Sequence, residues 1–135
     1  MPSSALALQQ SIFATLGAHP AIVALLGAAR IHDHVPQPAA YPYISFGQST
    51  TRDADTSTEA ADEHMLTLHV WSRAEGRKET HEIIDAVRAA LHDAPLALAG
   101  HRLVNLRHEF SEARREPDGD TIHGLVRLRA VTEPA

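Results

Sequence analysis

The stretch that most constrains this chain runs from Asp62 to Leu91, DEHMLTLHVWSRAEGRKETHEIIDAVRAAL. Its first part alternates. Leu66, Leu68 and Val70 point one way, and Met65, Thr67, His69 and Trp71 the other, as in a strand with two unlike faces. Its second part carries Ile83, Ile84, Val87 and Leu91 at spacings of three and four, one apolar stripe on a helix. Arg77, Lys78, Glu82, Asp85 and Arg88 take the wet side, and Gly76 sits in the break between the two parts. A long strand running straight into an amphipathic helix makes a sheet with a helix laid over it. The remaining segments are then additions around that pair.

Upstream, Ser3 or Ser4 caps a first helix to about Leu16, with Leu8, Ile12 and Leu16 a turn apart and Gly17 as its stop. Pro20 opens a shorter helix, AIVALL, closed by Gly27. Arg30 to Val35 is a short extended piece, and Pro36, Pro38 and Pro42 bar a central strand across VPQPAAYP. YISFGQST, from Tyr43, is a strand with Ile44 and Phe46 on one face.

Downstream, Asp93 and Pro95 end the helix and LALAG is a short extended connection. In Arg102 to Arg114 the alternation puts Val104, Leu106 and Phe110 on one face. Pro117-Asp118-Gly119 is a turn, and Thr121 to Thr132 follows with Ile122, Val126 and Leu128 inward and Arg127 and Arg129 outward. The last two strands form a long hairpin with a charged tip. No linker or internal repeat divides the 135 residues, so one domain over 1–135 is expected.

Thr50 to Glu63, TTRDADTSTEAADE, has almost no large apolar side chain. It holds Asp53, Asp55, Glu59, Asp62 and Glu63 against Arg52, a net -4 of the chain's -5. Such a segment cannot bury enough surface to offset its ordering entropy. It reads as a long mobile loop between two strands.

The acidic balance argues against an autonomous nucleic-acid-binding domain. The absence of cysteine removes disulfides and thiolate zinc sites. The N-terminal MPSSALALQQSIFATLG lacks a basic n-region, so a signal peptide is not expected. No apolar run has the length of a membrane span, and a soluble cytoplasmic chain is the default.

Both sheet faces carry apolar residues. Helices can cover the Leu66/Leu68/Val70 face. The other offers Tyr43, Met65, Trp71, Leu125 and Val131 among His69, Arg107, Arg127 and Arg129. Apolar groups mixed with arginine are the composition of an interface. The competing reading is a curled sheet that buries both faces within one chain. The candidate contact residues are Trp71, Arg107, Arg127 and Arg129 on this face, Arg52, Asp53, Asp55 and Glu59 in the acidic segment, and Arg114, Arg115 and Asp118 at the hairpin tip.

Catalytic motifs are missing. Of the ten histidines, His32 and His34 share a strand face but lack a third ligand at a predictable distance, and His64 and His69 point to opposite faces. His81-Glu82 starts a zincin-like pattern, but the second histidine position holds Asp85. There is no GxSxG and no glycine-rich phosphate loop. No catalytic, metal or cofactor residue is assigned, and a binding or structural role is favoured.

Several segments in order, LQQSIFATL, ALLGAARIHDHVPQPAAYPYISFG, EHMLTLHVWSR, IIDAVRAALHDAPLALAGHRLVNLR and RREPDGDTIHGLVRLRA, resemble a family of small phage tail-completion proteins. The likeness is to members found in gene transfer agents and siphophage-like clusters. The resemblance implies an α+β fold, a mixed, mainly antiparallel sheet with helices packed on one face. It implies a tail terminator in the virion, a hexameric ring that stops the tail tube and presents a surface to the head-side connector. It implies no chemistry and no cofactor, and DNA passing through the ring without specific binding, where an acidic lumen limits sticking. Another neck component, such as a head-completion or stopper protein, stays open. So does a small metal-dependent enzyme using the histidines.

Overall fold

The computed structural model describes residues 2–135. Two helices come first, α1 (Ser4–Gly17) and α2 (Pro20–Leu26), then strands β1 (Ile31–His32), β2 (Tyr43–Asp53) and β3 (Asp62–Ser72). Helix α3 (Lys78–Leu91) follows, then β4 (Ala97–Leu98), β5 (His101–Arg115) and β6 (Ile122–Pro134). The six strands make one sheet in the order β1-β2-β3-β6-β5-β4. Only β1 and β2 pair in parallel. The fold is the expected α+β type, and β3 lies inside the sheet between β2 and β6.

Local chemistry sets the helix ends. The Ser3 hydroxyl accepts the Leu6 N–H at 3.2 Å, satisfying one orphan donor of α1. Pro20 fits the first turn of α2, and Gly27, at φ 84°, closes it by donating its N–H to the Val23 carbonyl at 2.9 Å.

The core lies between helices and sheet. Leu8, Ile12 and Leu16 of α1, Ile22 and Leu26 of α2, and Ile83, Ile84, Val87 and Leu91 of α3 are buried. They meet Ile44, Leu66, Leu68, Val70, Leu106, Val126, Leu128 and Ala130 of the sheet. Each fully buried aliphatic side chain contributes about 1.5–3 kcal/mol relative to exposure. Gly124, opposite Val70, lets α3 approach closely. A Cβ there would stand 2.7 Å from Thr80 Cγ2 and 3.1 Å from Ile84 Cδ1.

Two expectations are corrected. Thr50 to Glu63 is not one long loop. β2 continues to Asp53 and β3 begins at Asp62, with Thr50 opposite Met65 and Arg52 opposite Glu63. Threonine suits a strand, and ladder hydrogen bonds to β3 replace the apolar anchor that the composition lacks. Only Ala54–Ala61 lies outside the ladder, and it is closed by hydrogen bonds. The Ala54 N–H donates to the Ala61 carbonyl (2.9 Å), the Asp55 N–H to Asp53 Oδ1 (2.8 Å), and the Ala61 N–H to Asp55 Oδ1 (2.7 Å). Nor do Val104, Leu106 and Phe110 share a face. The β5–β6 register shifts between Leu103 and Asn105 and again between His108 and Phe110. Each bulge adds a residue and breaks the period of two. Leu106 is buried, while Val104 and Phe110 are exposed.

Candidate functional site

With the helices on one side, the opposite sheet face is left open, and register says what stands on it. Trp71 pairs with His123, His69 with Leu125, Thr67 with Arg127, Met65 with Arg129 and Glu63 with Val131. β2 adds Tyr43 opposite Trp71 and Ser45 opposite His69. β5 adds Arg107 opposite Arg129, Phe110 opposite Arg127 and Arg114 opposite His123. Trp71, Arg107, Arg127 and Arg129 are thus brought together on one surface, as expected. The apolar members Met65, Leu125 and Val131 are half-buried, and Phe110 is exposed.

One end of this face is an aromatic and imidazole stack. The Trp71 and His123 rings lie 4.1 Å apart at an interplanar angle of 1°, with Tyr43 6.4 Å from Trp71 on the neighbouring strand. Trp71 Nε1–H donates to Ser45 Oγ at 3.1 Å. His123 Nδ1 meets Glu116 Oε1 at 3.0 Å. A carboxylate can only accept, so Nδ1 carries that proton. His123 Nε2 is then free to accept from His69 Nδ1, 2.6 Å away. Burial holds both imidazoles below their ordinary pKa. At His69 the His123 and Arg114 charges push the same way, while at His123 Glu116 opposes. The His69 ring lies against β2 because residue 47 is glycine. A Cβ there would come 2.3 Å from His69 Nε2.

The rest of the face is arginine. Arg129 donates to Glu63 Oε2 through Nε (3.1 Å) and Nη2 (2.6 Å). The Arg127 guanidinium lies 5.5 Å from the Phe110 ring centre. Arg107 is 3.9 Å from Asp93 Oδ1.

The remaining expected residues fall at the two ends of the sheet. Arg52 stands on the open face beside Glu63, Asp53 closes β2, and Asp55 and Glu59 are exposed on the β2–β3 tip. At the far end, the Asp118 carboxylate organises the β5–β6 tip. Its Oδ1 accepts the Asp120 and Thr121 N–H groups at 2.9 and 3.0 Å, and its Oδ2 the Thr121 hydroxyl at 2.9 Å. Those bonds hold its pKa down. Arg115 is a strut, donating to the Gly119 carbonyl at 3.0 Å and the Glu75 carbonyl at 3.2 Å. Arg114, on the open side, is 3.4 Å from Glu116.

The fold thus has one sheet face left open by the helices and a charged tip at each end. The family described as Tail completion protein gp17 matches residues 10–133. The chain belongs to this family of tail completion proteins. Its members are structural components of virions and not enzymes. A tail completion protein gp17 of Bacillus phage SPP1 is 27% identical over 89 residues, 66% of this chain and 66% of that protein, just under two thirds of each. A chain of a solved structure titled as the virion of a native gene transfer agent particle is 32% identical. It superposes with a TM-score of 0.90 over 98% of this chain and 99% of that one.

Among the described residues no three His, Asp or Glu side chains are placed to hold a metal ion. His64 is fully buried on the helix side between Thr51 Oγ1 (3.0 Å) and Thr132 Oγ1 (2.9 Å), while His69 is on the open face. Sequence reasoning missed His123, Glu116, Ser45 and Phe110 on this surface. His123 was within reach, since it shares the parity of Leu125, Arg127, Arg129 and Val131. Phe110 was not, because the bulge that turns it outward leaves no mark in the hydrophobic pattern.

Proposed function

We propose that this tail completion protein is a tail terminator. It closes into a hexameric ring on the finished tail tube, stops further tube growth, and offers its other side to the head-side connector. The observation that carries this reading is the open sheet face. Half-buried apolar groups lie there beside arginines and a stacked tryptophan, a mixture that suits subunit contact. The whole-length likeness to a chain of a gene transfer agent particle supports it.

The charged tips at opposite ends of the sheet suit docking by charge complementarity more than burial. DNA crosses the lumen without specific binding. Arg114 is the better docking residue of the arginine pair at the β5–β6 tip. Arg115 already bridges two backbone carbonyls. Arg114→Glu should therefore weaken head–tail joining and leave the melting temperature unchanged, since exposed charges rarely decide stability.

The direct test mixes the purified chain with pre-formed tail tubes and images the ends. A closed ring on one tube end, with growth halted there, is the expected result. Tubes that keep growing with no bound density would refute the reading.

A further inference from the structure

The open face carries two guanidinium groups that its own chain leaves largely uncompensated. Among the described residues Arg127 has no carboxylate within 4.0 Å and lies over Phe110, itself 43% exposed. Arg107 has only Asp93, at 3.9 Å. Arg129, by contrast, is fully engaged by Glu63. An exposed aromatic ring under an unpaired Arg127, with the loosely paired Arg107 on the same strand, is the composition of an interface anchor, and it asks for a slender acidic partner.

The β2–β3 tip has that chemistry. Ala54–Ala61 contains no large apolar side chain, so it buries nothing of its own. Its turn is built by Asp53 Oδ1 and Asp55 Oδ1, and the second oxygen of each has no partner among the described residues. The Glu59 carboxylate has none either. The tip therefore presents three carboxylates, Asp53, Asp55 and Glu59, from a preformed turn.

The tip cannot satisfy the arginines of its own chain. It leaves the sheet beyond Asp62, which pairs with Thr132. Arg127 lies five residues back along β6, roughly 17 Å at strand rise, and the tip continues away from it. The two patches are complementary but sit on different parts of one surface. A contact between them in a ring is head-to-tail, each copy giving its tip to one neighbour and its face to the other.

We infer that, in the ring, the open sheet face of each subunit receives the β2–β3 tip of the next copy of this chain, with Asp55 and Glu59 meeting Arg107 and Arg127. This rests on the ring reading above and adds what occupies the face. The acidic tip is then an intersubunit latch and not a lining of the lumen.

Glu59→Arg and Arg127→Glu test it, because neither residue holds the fold. Glu59 contributes only its backbone to the turn, and Arg127 is exposed. Assembly of the full chain, alone and on tubes, is followed by sedimentation velocity and imaging, with thermal melts as control. Each single reversal should raise the concentration needed for half-assembly by about tenfold or more. The double reversal should restore assembly to near the wild-type level. Added salt, from about 0.05 to about 0.5 M, should weaken the wild-type ring. Rings indifferent to both reversals would overturn the latch and leave the ring standing. Single losses without recovery in the double variant would also overturn it, assigning the face to another occupant such as the tube. A wild-type chain that stays monomeric even with tubes present would overturn the ring itself, and the latch with it.

Discussion

Trp71 and His123 stack face to face at 4.1 Å and 1° on the sheet face that the helices leave open. The contact joins β3 to β6, and through His123 Nδ1 it reaches Glu116 in the β5–β6 tip. Trp71 is half-buried in the isolated subunit, with one ring face given to His123. Its place in the fold rests on that stack and on the hydrogen bond to Ser45.

Trp71→Ala should cost the subunit about 1–2 kcal/mol, from the lost stack and the bond to Ser45. That is less than the ~3–5 kcal/mol typical of a fully buried aromatic. It should reduce ring assembly by a larger factor. Thermal melts and sedimentation on the same variant separate the two effects. A loss of 3 kcal/mol or more with assembly intact would make Trp71 a core residue.

Stability should fall with acid. Burial holds the pKa of His64 below its ordinary value, partly opposed by Asp62, and burial does the same for His69, His123 and His108. The folded values thus lie below the unfolded value of about 6.5. In that window the unfolded chain binds more protons, so the stabilisation is complete above about pH 6.5 and is lost as pH falls through the folded values. Denaturant midpoints measured from about pH 7.5 to about pH 5 should decline. His64→Gln should flatten the decline, since His64 is fully buried between two threonines. A profile that is unchanged in this variant would show that His64 does not titrate with unfolding.

Gly124→Ala should lower stability by about 1–3 kcal/mol, the usual cost of overpacking. The new methyl would meet Thr80 Cγ2 at 2.7 Å, and Ile84 Cδ1 and Val70 Cβ at 3.1 Å. The helix side of the sheet has no slack there, and α3 must shift. The open face is untouched, so ring assembly, scaled to the folded fraction, should be normal. A variant as stable as the wild type would mean that α3 docks less closely than described.

Much of this was legible in the residues. The alternation of Leu66, Leu68 and Val70 and the stripe of Ile83, Ile84, Val87 and Leu91 located the sheet, its covering helix and the buried face. The odd-numbered residues from Leu125 to Val131 located the open face. What the pattern could not carry was register. The bulges after Leu103 and His108 depend on how β5 meets β6, a long-range fact, and they send Phe110 outward to join Arg127. Composition also misjudged Thr50–Asp53 and Asp62–Glu63. A polar segment with no core anchor can still be a strand when a partner strand supplies its hydrogen bonds. The ring and its partners came from resemblance. Nothing in the periodicity or the charge names a tail tube.

The role proposed for this protein is to end the tail tube and join it to the head. The most direct measurement is imaging of particles made without it. Filled heads with no attached tail, beside tubes of uncontrolled length, are the expected result. Tails of normal length together with heads that leak their DNA would contradict it and make the protein a stopper instead.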